Sequence, residues 1–70
     1  MPIVQIALLR GRTPEQRHEL IRSVSESIAG SLEVPIERVR VVLVEIDEDS
    51  WGIGGEPYSA VRPSVRPASS

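Results

Sequence analysis

Two short apolar runs set the problem this chain has to solve. "PIVQIALL", residues 2 to 9, puts Val4, Ile6 and Leu8 on one face of an extended segment and Ile3, Ala7 and Leu9 on the other, with only Gln5 polar between them. "VRVVLVEI", residues 39 to 46, repeats the pattern, with Val39, Val41 and Leu43 opposing Val42, Val44 and Ile46. Side chains alternate across a strand, so a strand apolar on both faces is buried on both faces. A chain of 70 residues has little material for that covering, since at this size only about 60% of the unfolded surface is buried on folding.

Between the runs lies a helix signal. In "GRTPEQ", Thr13 is a good N-cap, Pro14 suits the first helical position, and Gln16 stands where a capping box takes Glu or Gln. Leu20, Ile21, Val24 and Ile28 follow as a stripe at helical spacing, with Glu15, Glu19, Arg22 and Glu26 on a solvated side and Gly30 as the expected stop. "SLEVPIER" reads as a loop with a short turn around Pro35. A crossover containing such a helix makes the two strands parallel and the connection right-handed. "DEDSWGIGGEPYSAV" carries Gly52, Gly54 and Gly55 and reads as a tight turn or hairpin. The expected fold class is α/β (α+β), a β-α-β unit with parallel strands and a C-terminal hairpin over residues 1–61. Residues 62–70 form a tail expected to be flexible or to contact a neighbouring subunit.

One helix covers one face of a two-stranded sheet and leaves the other face and both edges bare. Small chains remedy this with disulfides, a metal or association. Here there is no Cys and one His, so other copies of the chain are expected to finish the sheet. Aromatic residues are thin for a self-sufficient core, Trp51 and Tyr58 with no Phe. A net charge of -2 and a pI near 5.3 exclude the basic footprint of a nucleic-acid binder. No apolar run approaches the ~20 residues of a membrane span, and the first residues lack the basic stretch of a signal peptide. The expectation is a cytoplasmic oligomer with a small-molecule ligand, and neither nucleic acid nor membrane as partner. All eight basic residues are Arg, which fits either genome composition or bidentate recognition of carboxylates.

Three residues are candidates for chemistry. Pro2 fits two readings: a residue tolerated at a strand's start, or, once Met1 is removed, a secondary amine. An α-amino group has a reference pKa of about 8, which apolar surroundings and nearby guanidinium groups lower toward neutrality, where a general acid/base works best. Arg12 lies just before a helix N-terminus, where the macrodipole favours anions, so it is either a solvated loop residue or an anion-binding one. Arg40 shares a strand face with Val42, Val44 and Ile46 and needs a partner there, either a structural ion pair or a ligand. Parallel strands start at the same end, so Pro2 and Arg40 lie together and Arg12 lies roughly 25 Å away at the other end of eight extended residues. A pocket shared by Pro2 and Arg12 then requires two subunits.

Other signals fail. "DEDSWG" begins like a calcium loop, but Tyr58 stands where the closing Glu belongs. "GIGG" is followed by no helix pattern and is not a dinucleotide fingerprint. His18 has no second His or Cys, so no metal site is expected.

"MPIVQIALLRGRTPEQRHELIRSVSESIAGSL", "VPIERVRVVLVEI" and "WGIGGE" together resemble the short-chain 4-oxalocrotonate tautomerases of the tautomerase superfamily, from Met1 to about Val61. The resemblance implies a domain over residues 1–61, a four-stranded sheet per dimer, a hexamer built as a trimer of dimers, and cofactor-independent 1,3-proton transfer in a small unsaturated oxo acid such as 2-hydroxymuconate. It implies Pro2 as general base and acid, Arg40 at the 2-oxo group, Arg12 at the distal carboxylate, and Leu9 and Trp51 lining the substrate pocket. Trp51 stands where the family commonly has Phe, and Ala7 where the best-known type has His. Two alternatives use the same scaffold: a proline-dependent hydratase or dehalogenase of a 3-haloacrylate-like acid, and a non-catalytic subunit of a hetero-hexamer.

Overall fold

The computed structural model describes residues 1–61; the expected tail over 62–70 lies outside the described residues. Strand β1 (Ile3–Leu9) leads through a short loop to helix α1 (Pro14–Leu32). A single 3-10 turn (Ile36–Arg38) precedes β2 (Arg40–Ile46), and a second (Glu48–Ser50) precedes the hairpin β3 (Gly52–Ile53) and β4 (Glu56–Pro57). A four-residue helix α2 (Tyr58–Val61) follows. β1 and β2 pair in parallel, with Ile3 opposite Arg40 and Leu9 opposite Ile46.

Helix α1 starts where the sequence says it should. The Gln16 N–H donates to Thr13 Oγ1 at 3.1 Å, and the Thr13 N–H donates to Gln16 Oε1 at 3.0 Å. This reciprocal capping box satisfies two of the donors that a helix N-terminus leaves open.

Its end differs from the expectation. Gly30 does not stop the helix, and Ser31 and Leu32 belong to α1 rather than to a loop. The chain turns at Glu33, which takes the left-handed conformation with φ 56°, and the Glu33 and Val34 N–H groups both donate to the Ala29 carbonyl. The physical reason is Pro35, which disfavours helical backbone at Val34 and so dictates the stop. β2 starts one residue later than the apolar run, because the Val39 N–H is taken by the Ile36 carbonyl at 3.0 Å.

Burial alternates along both strands. Val4, Ile6, Leu8, Val41 and Leu43 are half-buried on the face that α1 covers with Leu20, Ile21, Val24 and Ile28. The opposite face stays open, with Ile3 65% and Val44 43% exposed. Among the described residues only Val39 and Tyr58 are apolar and buried, and no side chain is completely enclosed. This is half of a core. No helix among the described residues is long and apolar enough to cross a membrane.

Gly30 lies inside the helix with nothing within 4 Å of where a Cβ would stand. Gly30→Ala is therefore expected to stabilise the chain by about 0.5–1 kcal/mol, read as a higher urea midpoint with an unchanged slope. A lower midpoint would show that Gly30 meets a neighbour.

Candidate active site

The parallel register places the candidates. The Arg40 N–H donates to the Pro2 carbonyl at 3.0 Å, so the two residues stand side by side at the head of the sheet. Pro2 is half-buried behind an exposed Met1. The Arg40 guanidinium lies on the open face of the sheet and donates through Nη1 to the carbonyls of Glu37 at 2.7 Å and Val39 at 3.4 Å. No carboxylate among the described residues pairs with it. The structural ion pair that was one reading of Arg40 does not form; carbonyl oxygens at the start of β2 hold the group and leave its charge unneutralised.

The other end of the sheet holds the remaining candidates. Leu9, Arg10, Gly11, Arg12, Gln16, Glu48 and Tyr58 line an open cavity of about 260 Å³. Arg12 also lines a second cavity of about 210 Å³, with Leu8, Gln16, Arg17 and Leu20. Neighbouring arginines there are committed. Arg10 Nε donates to Asp47 Oδ1 at 2.6 Å, a bond that holds the Arg10 guanidinium above its ordinary pKa, and Arg17 Nη1 lies 3.4 Å from Glu45 Oε2. The Arg12 guanidinium has no such partner among the described residues. Among the described residues it is an unpaired cation beside a helix N-terminus.

Trp51 belongs to this end as well. Its carbonyl accepts from the Tyr58 N–H at 2.7 Å, closing the hairpin whose turn is carried by Gly54 and Gly55 at φ 60° and 88°. Both values suit glycine, and they match the twist that a two-residue hairpin turn requires. Pro2 and Arg40 are thus together at one end, and Leu9, Arg12 and Trp51 are together at the other. The seven residues of β1 separate the two groups by roughly 23 Å. One chain does not unite them.

Sequence reasoning missed two residues here. Tyr58 is 7% exposed and lines the Arg12 cavity, and its hydroxyl has no partner among the described residues. Because no enclosed side-chain oxygen among the described residues is left unbonded, that hydroxyl is at least partly accessible. Its being the sole tyrosine was the only signal available. Arg17 falls outside the sequence pattern, and only its contact with Glu45 of β2 distinguishes it.

A β-α-β unit with parallel strands, a proline at the sheet's head and a glycine-turned hairpin defines a tautomerase-type protomer. The family model described as "Tautomerase enzyme" matches residues 2–60, and the chain belongs to this family as an isomerase of the 4-oxalocrotonate tautomerase type. A 2-hydroxymuconate tautomerase of Pseudomonas sp. (strain CF600) is 55% identical over 62 residues, covering 89% of this chain and 98% of the relative. The heterohexamer 4-oxalocrotonate tautomerase from Chloroflexus aurantiacus J-10-fl superposes with a TM-score of 0.83 at 34% identity, covering 89% of this chain and 100% of that one. TomN, a 4-oxalocrotonate tautomerase homologue of the tomaymycin biosynthetic pathway, superposes with a TM-score of 0.86 at 29% identity, covering 89% and 95%.

Since the Tyr58 hydroxyl bonds to nothing among the described residues, Tyr58→Phe is expected to change the free energy of unfolding by less than about 0.5 kcal/mol. Chemical denaturation of the two proteins side by side checks this. A loss beyond that range would mean the hydroxyl is bonded in the protein as it assembles.

Proposed function

We propose that this chain interconverts unconjugated and conjugated forms of a small dicarboxylic oxo acid, 2-hydroxymuconate or a close analogue. The proton would be carried by the nitrogen of Pro2, in a site that neighbouring copies of the chain complete. The observation that carries the proposal is that two guanidinium groups with no carboxylate partner among the described residues stand at the two ends of the sheet, Arg40 beside Pro2 and Arg12 at the far end. A substrate with a 2-oxo carboxylate at one end and a second carboxylate at the other needs two such cations. The relatives named 2-hydroxymuconate tautomerase support this substrate class.

The chemistry follows from the groups. A 1,3-shift needs one base that takes a proton from an oxygen or carbon and returns it two atoms away, and a neutral secondary amine does both. That role requires a chain from which Met1 has been cut, because an acylated Pro2 nitrogen is an amide without basicity. Negative charge grows on the 2-oxygen as the proton leaves, so Arg40 near it stabilises the transition state more than the ground state. Arg12 of a neighbouring subunit would anchor the distal carboxylate, with Leu9 and Trp51 supplying apolar walls that keep water from the amine.

Assembly supplies the missing proximity. The open sheet face carries Ile3, Val42 and Val44, and a homo-hexamer of three dimers would bury it and bring the Arg12 end of one chain to the Pro2 end of another. A mixed hexamer would use the same surfaces, and the Chloroflexus aurantiacus relative is described as one. The chain purified alone decides between them. A hexamer by native mass spectrometry is expected, and Val44→Glu is expected to shift it to smaller species; a monomeric wild type would point to an obligate partner chain.

Turnover of 2-hydroxymuconate followed in the ultraviolet, on protein whose mass shows Met1 removed, tests the activity. Pro2→Ala is expected to lower kcat and kcat/KM together by at least about tenfold, whereas Arg12→Ala is expected to raise KM with little effect on kcat. Unchanged rates in Pro2→Ala would remove that nitrogen from the mechanism, and a hexamer with a free Pro2 and no turnover would favour the hydratase or supporting-subunit readings.

A further inference from the structure

Arg12 sits in a loop that is fixed from three sides. Gly11 before it takes φ 130°, a conformation that side-chain-bearing residues rarely adopt. Thr13 after it is locked by the capping box. The third tie is a side chain from the helix itself: Arg17 Nη1 donates to the Arg12 carbonyl at 2.6 Å, and the same nitrogen lies 3.4 Å from Glu45 Oε2.

Glu45 is an odd residue for its position. It follows Val41 and Leu43 on the helix-covered face of β2 and stands opposite Leu8. A carboxylate on an apolar face is costly unless paired, and Arg17 supplies the pairing. Its other oxygen lies 3.8 Å from Arg10, which is itself bonded to Asp47. Among the described residues, Glu45 and Asp47 thus balance Arg10 and Arg17 at this end, and Arg12 is left without a carboxylate partner. Arg17 also shares the smaller cavity with Arg12, so without Glu45 it would present a second cation to any anion bound there. As a stability device such a partly exposed pair contributes little, yet it spans the helix, the second strand and the Arg12 loop.

We propose that Arg17, held by Glu45, is a positioning residue for Arg12: it fixes the backbone from which Arg12 reaches the substrate's distal carboxylate, and Glu45 keeps Arg17 itself from competing for that carboxylate. The inference rests on the role given to Arg12 above. A hydrogen bond from a charged donor is directional and strong, and small displacements of a substrate-positioning group are felt in binding and rate.

The test compares a dicarboxylate, 2-hydroxymuconate, with a monocarboxylate, 2-hydroxy-2,4-pentadienoate, on Met1-free protein carrying Arg17→Met, Arg17→Lys, Arg12→Ala and the Arg12→Ala/Arg17→Met pair. Arg17→Met is expected to raise KM for the dicarboxylate about tenfold, with kcat within about twofold and the monocarboxylate unaffected. Arg17→Lys, which keeps a donor and a charge, is expected to recover part of the loss. In the double variant Arg17→Met should add nothing to Arg12→Ala, because the group it positions is gone. Equal losses on both substrates, or full additivity, would overturn the inference, since a merely structural role behaves that way. If Arg12→Ala raises KM and Arg17→Met does not, only the positioning role falls. If Arg12→Ala leaves the dicarboxylate KM unchanged, the role of Arg12 falls and this inference with it. Should Arg17→Met fail to fold, Arg17→Lys and Glu45→Gln carry the same comparison.

Discussion

A parallel two-stranded sheet with a single helix on one face is the constraint from which the rest follows. Parallel strands need a long crossover, and the crossover helix shields only the side it packs on. The open side of this sheet is as apolar as the covered side, with Val42 and Val44 more than 40% exposed. Leaving several such side chains in water costs about 25 cal/mol for each Å² of apolar surface left unburied. Among the described residues no side chain is completely enclosed, so the chain by itself lacks the second half of its core. In the proposed assembly the surface that completes the fold is also the surface that completes the site, and stability and activity become one requirement.

The sheet also works as a spacer. Its length holds Arg40 at one end and Arg12 at the other, and neither guanidinium is neutralised by a carboxylate among the described residues. Arg10, Arg17 and Arg22 all are, the last by Glu19 and Glu26 across the exposed side of α1. The bond from Arg22 holds the Glu19 carboxyl below the usual carboxylate range. Arg38, exposed on the 3-10 turn before β2, likewise has no carboxylate partner among the described residues, so what sets Arg12 and Arg40 apart is their placement at the two ends of the sheet.

The legible parts of this fold were the local ones. The helix start could be read because Thr13, Pro14 and Gln16 act within four residues of one another. The strand pairing could be read because a β-α-β crossover leaves one choice of direction and hand, and that alone put Pro2 beside Arg40 and Arg12 far from both. The helix end could not be read from Gly30, since glycine permits a stop without demanding one, whereas Pro35 imposes it on Val34. The short turn around Pro35 was legible, and it forms as a 3-10 turn at Ile36–Arg38, but nothing local showed that its carbonyls would hold the Arg40 guanidinium. Arg17 and Glu45 are 28 residues apart, and Tyr58 meets the Arg12 loop only after the hairpin folds back. Such contacts are decided by tertiary packing, and a single sequence carries no local mark of them.

The separation of Pro2 from Arg12 finally bears on how so short a chain would serve the two-ended substrate proposed for it. An enzyme that held both carboxylates and the base within one chain would need loops long enough to carry a cation roughly 23 Å along the sheet, and such loops cost conformational entropy to order. Here each group sits on or beside a regular element: Pro2 directly before β1, Arg40 at the first residue of β2, Arg12 directly before the N-cap of α1. Each is positioned at little entropic cost because the element is already formed. Bringing opposite ends of identical chains together would convert that rigidity into a preorganised site, and the geometry would then be set by the contact between subunits rather than by flexible segments.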